Sequence, residues 1–157
     1  MSKTKPPINQ LPFEVVVETY GPTLLRFCIA RLGPDLGEEA FQETLLSALA
    51  NYDKLEDTSK TRAWLFAISR NKMVDVTRKQ KQTVPLEDSE EVFYDPQPNN
   101  IWSEVAKLPQ KQREAVGLRY LADLPYSDIA HVMGVNVAAA RRNVFEGLKS
   151  LRENLTK

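Results

Sequence analysis

"LPYSDIAHVMGVNVAAARRNVFEGLKSL", Leu124 to Leu151, sets a short apolar run, a Gly-Val-Asn turn and a longer run opening on three alanines one after another. Ile129, Ala130, Met133, Val135, Ala140, Val144 and Leu148 recur at spacings that let two helices grip each other across the turn, a helix-turn-helix pattern. Gly134 suits the left-handed cap that ends the first helix, and Asn136 caps the second, expected from Val137 to about Asn154. Ser127 is the expected cap of the first helix. Ala138 and Ala139 let the second helix approach a surface closely, and Arg141 and Arg142 ask that this surface be negative, as a DNA major groove is. An alanine run also raises helix propensity and paired arginines also make a solvated face, so the pattern gains weight only from the rest of the chain.

Outward from there, Pro109 suits the first turn of a helix through "PQKQREAVGLRYLADL", preceded by a short helix from Ile101 to Leu108. Residues 83 to 100, "TVPLEDSEEVFYDPQPNN", hold three prolines, five acids and no base, so they read as a linker. Before it, apolar spacing predicts three helices. The first spans Phe13 to Leu32 with an interruption at Gly21-Pro22. The second runs from Asp35 or Leu36 to Ala50, with Ala40, Phe41, Thr44, Leu45, Ala48 and Leu49 inward. The third runs from Thr61 to about Lys81, with Trp64, Leu65 and Ile68 inward and Arg62, Arg70, Lys72, Arg78 and Lys79 outward. Strand-like alternation is absent. The expected fold is all-α: two small helical domains, residues 10–82 and 101–157, joined by the acidic linker.

Net charge over the 157 residues is zero, an average that hides strong blocks. Residues 1–59 carry −4, residues 60–82 carry +6, residues 83–104 carry −6 and residues 105–157 carry +4. Two basic segments on either side of an acidic one suit a binder of nucleic acid better than the average does. One cysteine, Cys28, and one histidine, His131, exclude an internal disulfide and leave little for a metal site. No apolar run approaches the roughly 20 residues that span a bilayer, and the N-terminus lacks a signal-peptide core. The chain is read as cytoplasmic, with no membrane insertion, no cofactor and no small-molecule substrate.

Two motifs give a more specific reading. "LPQKQREAVGLRYLADLPYSDIAHVMGVNVAAARRNVFEGLKSLREN" resembles the fourth domain of bacterial RNA polymerase sigma factors. "GEEAFQETLLSALANYDKL", followed by "TRAWLFAISRNKMVDVTRKQKQ", resembles their second domain. Both motifs in this order, with only a short linker between, are similar to the extracytoplasmic-function (ECF) subgroup.

The resemblance implies a transcription initiation factor whose partners are core RNA polymerase and promoter DNA, and whose relatives are often held inactive by an anti-sigma factor. It places Glu38, Glu39, Gln42 and Glu43 on a helix that docks on the polymerase clamp. It places Asn51, Tyr52 and Asp53 in a loop that captures a flipped base of the minus-ten element. Arg62, Arg70, Asn71, Arg78 and Lys79 would contact DNA near the melted region, with Trp64 read as core. Ala138, Ala139, Arg141, Arg142 and Phe145 would face the minus-thirty-five element. Which arginine reads a base is open, as is whether Phe145 meets a thymine methyl or closes the core. Glu146, where relatives are often basic, prevents transfer of a promoter sequence.

Two other functional classes compete with this one. Catalysis has little to stand on: Glu39 and Glu43 have i, i+4 spacing but no third ligand, and no Gly-rich phosphate loop exists. A helix-turn-helix regulator that does not enter polymerase would account for the C-terminal half while leaving the "QET" helix unexplained, and a sigma homologue that binds polymerase without directing a promoter would suit Glu146 and the acidic loop after that helix.

Overall fold

The computed structural model describes residues 10–83 and 101–156, and among these all regular elements are helical. The expected linker therefore lies outside the described residues, apart from Thr83, which ends the third helix. The expected all-α architecture holds.

Helix α1 (Phe13–Leu32) runs without a break through Gly21 and Pro22, against the expected interruption. Pro22 is exposed, so water can serve the carbonyl one turn back that its missing N–H leaves unpaired. Gly33, at φ 87°, ends α1, and its N–H donates to Ile29 O at 2.8 Å. A residue with a Cβ resists that φ. Helix α2 (Pro34–Asn51) turns straight back along α1. It packs so closely at Gly37 that an added Cβ would lie 2.6 Å from the Ile29 backbone. After two single-turn 3₁₀ segments, α3 (Thr61–Thr83) closes a three-helix layer in which Phe27 meets Phe66 edge-on at 5.4 Å. Cys28 and Ser69 hydrogen-bond within this core at 3.5 Å.

The second half begins with α4 (Ile101–Val105), shorter than expected, then α5 (Gln110–Tyr120), capped by Pro109. Helix α6 (Tyr126–Met133) starts one residue before Ser127, so Pro125 and not Ser127 occupies the cap. Gly134 adopts φ 68°, and its N–H and that of Val135 close the left-handed turn on α6 carbonyls. Helix α7 (Val137–Leu155) starts as expected, with Asn136 Oδ1 accepting from Ala139 N at 2.7 Å. It crosses α5 at Gly147, where a Cβ would lie 2.7 Å from Val116 Cγ2.

The halves do not stand apart. Helix α3 packs on α6, and one apolar cluster runs from Leu24, Phe66, Met73 and Val76 into Leu118, Leu124, Ile129 and Val144.

Candidate nucleic-acid and polymerase interfaces

The first turns of α7 are presented as the alanines and arginines demand. Ala138, Arg141 and Arg142 are exposed and Ala139 is half-buried, while Ala140 and Val144 on the opposite side are buried. Phe145 is 69% exposed, which removes it from the helix-turn-helix core and leaves an aromatic ring on the arginine face. Arg141 lies over the Tyr126 ring at 5.5 Å, and Arg119 lies over the same ring at 4.8 Å. Arg119 also donates to Leu124 O at 3.0 Å. Cation–π contact therefore restrains Arg141 and ties it to the start of α6. Glu146 is exposed, and Gln112 Nε2 reaches its carboxylate at 3.5 Å.

On α2, Glu38, Glu39, Gln42 and Glu43 are all exposed. Leu46 and Leu49 extend their stripe at i+3 and i+4 spacing and are 64% and 57% exposed. Leu49 was expected inward. The inner face is already filled by Ala40, Thr44 and Ala48, all fully buried. An acidic face ending in two bare leucines is unlike an ordinary solvated helix surface, and the two leucines were missed by the sequence reading. Their signal was present in the spacing from Gln42 and Glu43.

The expected base-capture trio is not presented together. Asn51 ends α2 and donates to Ser47 O at 2.8 Å, and Asp53 is exposed. Tyr52 is buried, its ring 5.3 Å from Phe13 and 6.2 Å from Trp64, with its hydroxyl donating to Leu11 O. Burial raises its pKa. Tyr52 is thus a core residue in this conformation and offers no open ring to a base. Trp64, expected in the core, is half-buried instead and borders a cavity of about 480 Å³ with Asn51, Lys54 and Ile68. Within the adjoining loop, Asp57 accepts from the Ser59 hydroxyl and N–H, which lowers its pKa.

The basic helix α3 is divided. Asn71, Arg78 and Lys79 are exposed, Arg62 is half-buried, and Arg78 pairs with Asp75 at 4.0 Å. Lys72, Arg78 and Lys79 border a hollow of about 150 Å³ that Glu43 of α2 also lines. Arg70 faces the second half, where its Nε donates to Glu114. Glu114 is 5% exposed, an acid the sequence reading passed over inside the apolar run "EAVGL".

Cys28 is fully buried and desolvation pushes its thiol up to about 11, against a weaker opposing hydrogen bond from Ser69. It is a core residue without thiolate reactivity at neutral pH. Among the described residues, no group of three or more His, Cys, Asp or Glu could hold a metal ion. Among the same residues, no helix is long and apolar enough to cross a membrane.

Comparison with known proteins joins these surfaces. Residues 16–83 match the sigma-70 region 2 family and residues 99–151 match sigma-70 region 4. The chain is 34% identical to the ECF RNA polymerase sigma factor EcfG of Rhodopseudomonas palustris, covering 78% of this chain and 74% of that protein. It is 30% identical to the ECF RNA polymerase sigma factor SigM of Bacillus subtilis, covering 74% and 78% respectively. Among solved structures it is similar to the sigma factor RpoE of Bartonella quintana, solved with the anti-sigma factor NepR. That similarity has a TM-score of 0.74 and 28% identity, over 92% of this chain and 96% of that one. A helix-turn-helix regulator that never enters polymerase accounts for one of the two family matches and leaves the other idle. The chain belongs to the ECF RNA polymerase sigma factors, transcription initiation factors that direct RNA polymerase to promoters.

Proposed function

We infer that this chain's work as an initiation factor is divided among three surfaces, with residues 10–82 serving polymerase and the minus-ten element, residues 83–100 as linker, and residues 101–157 serving the minus-thirty-five element. The α7 face carries the reading: two arginines and an aromatic ring stand open on a helix whose first turn is otherwise alanine. Small side chains admit the helix to a major groove, guanidiniums match guanine O6/N7 or phosphate, and a ring packs on a thymine methyl. Tyr126 divides the arginines. Arg141, restrained over that ring, is the base reader, because a fixed fork is what bidentate recognition needs. Arg142, exposed beside it, meets phosphate.

The α2 stripe of Glu39, Gln42, Glu43, Leu46 and Leu49 docks on core polymerase, its leucines supplying apolar area and its acids complementing a basic partner. The hollow beside Trp64 and Asn51 takes an unpaired base of the minus-ten element, in place of the buried Tyr52. Arg62, Asn71, Arg78 and Lys79 hold the backbone around it. The Bartonella quintana relative was solved with an anti-sigma factor, and a partner of that class suits this chain also. No catalytic step is assigned, and a factor of this kind works where polymerase does, in the cytoplasm.

In vitro transcription with core polymerase on a genomic-fragment library, with start sites mapped, tests the reading; absence of factor-dependent starts would overturn it. On a promoter so recovered, Arg141→Ala should flatten upstream discrimination by roughly 1–3 kcal/mol. Arg142→Ala should instead weaken all sequences alike and lower the salt slope by about 1. Tyr126→Leu should resemble Arg141→Ala in kind and be smaller, with Tyr126→Phe restoring discrimination. Reversing Glu39 and Glu43 to lysine should weaken core binding without loss of helicity.

A further inference from the structure

We propose that Glu146 is a second base-reading residue of α7, accepting a hydrogen bond from a cytosine amino group in the upstream element and aimed there by Gln112 of α5. The proposal deepens the reading of α7 as a major-groove helix and rests on it. At helical spacing Ala140, Val144, Gly147 and Leu151 fall on the packed side of α7, and all four are buried. The opposite side carries Ala138, Arg142, Phe145 and Lys149 along its middle, with Arg141 on one flank and Glu146 on the other, all exposed. Each flank is tied to a different neighbouring helix. Arg141 lies over Tyr126 at the start of α6, and the Glu146 carboxylate receives Gln112 Nε2 at 3.5 Å. Gln112 stands where α5 crosses α7, its Cβ 3.5 Å from the place that a Cβ on Gly147 would take. A carboxylate has about four acceptor sites, and Gln112 takes one of them at long range, so exposed Glu146 keeps capacity for a second donor.

The amide of Gln112 is held at a cost. Its Oε1 is buried without a hydrogen-bond partner among the described residues, and a buried acceptor left unpaired lowers stability. Turning the amide over would bury the donor in its place and set the oxygen against the carboxylate. An apolar side chain of the same size would avoid the cost, so what the glutamine supplies beyond packing is the donor it gives to Glu146. The carboxylate is acceptor-only, which decides the base. On the major-groove edge cytosine presents its N4 amino donor, guanine presents the acceptors N7 and O6, and thymine presents O4 and a methyl group. Adenine has an amino donor, but the acceptor N7 lies beside it. Glu146 therefore favours cytosine and opposes the other three. Arg142 at i−4 and Lys149 at i+3 stand on the same side of the helix and offset the repulsion between the acid and phosphate. Arg141 and Glu146 are separated by about 7.5 Å along the helix at about 1.5 Å per residue. That exceeds one base-pair step of about 3.4 Å, so the two side chains read different base pairs.

The test uses holoenzyme assembled from core polymerase and the full chain, on a recovered promoter whose upstream element is randomised. Sequencing the transcribed templates gives the base preference at each position. The wild-type chain should favour cytosine at one position by about tenfold. Glu146→Gln sets a donor beside an acceptor and should transfer that preference to adenine, whose N6 and N7 match an amide, while Glu146→Ala should lose it. Gln112→Met, close in size and without the donor, should lower the cytosine preference severalfold and leave the melting temperature equal or higher, because it removes an unpaired buried acceptor. A glutamine that only packs would lose stability and keep the preference, which would overturn the aiming role. A preference unchanged in Glu146→Gln would overturn base reading. So would a rise in output on all sequences alike, the mark of an acid that only repels phosphate. Arg141→Ala on the same library separates this proposal from the reading beneath it. If Arg141→Ala loses a guanine preference while Glu146→Gln changes nothing, Glu146 fails and α7 stays in the groove. If neither variant changes any position, the groove reading itself has failed.

Discussion

Helices α3 and α7 both carry arginines that the sequence assigns to DNA, yet they are held in opposite ways. Helix α3 lies against α1, α2 and α6, so its cations emerge at the edges of a packed element, and Arg70 emerges against Glu114. Helix α7 rests on α5 and α6 along one side and presents Ala138, Arg141, Arg142 and Phe145 along the other. The difference follows from composition. Helix α3 alternates core and cation so closely, as in "LFAISRNKMV", that a second body can seat on it, whereas "NVAAARRNV" buries nothing apolar beyond Ala140 and Val144. A helix that seats a second body needs apolar area beside its charges; one left open along a whole face does not.

The largest effect should come from the contact of α2 with α1. Gly37→Ala sets a Cβ 2.6 Å from backbone atoms of α1, which cannot yield as a side-chain tip can, and should cost about 3 kcal/mol in denaturant unfolding. A cost below about 0.5 kcal/mol would show that α1 and α2 are not so tightly joined. Next is the pH dependence of the same layer. The Cys28 thiol titrates near 11 when folded and near 9 when unfolded, so the folded state binds the proton more tightly. Stability is whole below pH 9 and falls as pH rises from 9 to 11, by roughly 1.4 kcal/mol at pH 10. Cys28→Ala should remove that slope, and thiol-reactive dye should label Cys28 only on unfolding. On the open helix, Ala139→Leu should weaken upstream-element binding at least tenfold, about 1.4 kcal/mol, with the melting temperature little changed. Unchanged binding would remove α7 from the groove.

Where a residue's role depends on its own turn of helix, the sequence was sufficient. Gly134, Asn136 and the helix they separate follow from backbone chemistry, and the two sigma motifs placed α2, α3 and α7 in order. Where a role depends on what lies across the fold, it was not. Tyr52 looks like a polar-loop aromatic until Phe13, from the start of α1, covers it. Leu49 fits an inward periodicity until small Ala40 and Ala48 fill that face. Glu114 has Lys111 at helical spacing in the sequence, yet its partner in the fold is Arg70, which reaches it from the other half. Ser127 lost its cap to Pro125 by a shift of two residues, the ordinary uncertainty of a helix end.

The smallest expected effect separates two roles for Phe145 that the sequence left level. A ring closing the helix-turn-helix core would lose about 3–5 kcal/mol of stability on truncation to alanine. A ring 69% exposed has little burial to lose, so Phe145→Ala should shift unfolding by no more than about 0.5 kcal/mol. Its cost should appear only in DNA, and only at positions where a thymine methyl lies against α7. Binding to a recovered promoter and to the same promoter with each upstream thymine replaced by uracil, which lacks that methyl, measures this directly. The wild-type chain should lose affinity at one thymine, and Phe145→Ala should lose nothing further there. A stability loss of several kcal/mol would return Phe145 to the core, and would mean that α7 packs more of its surface than its open face now shows.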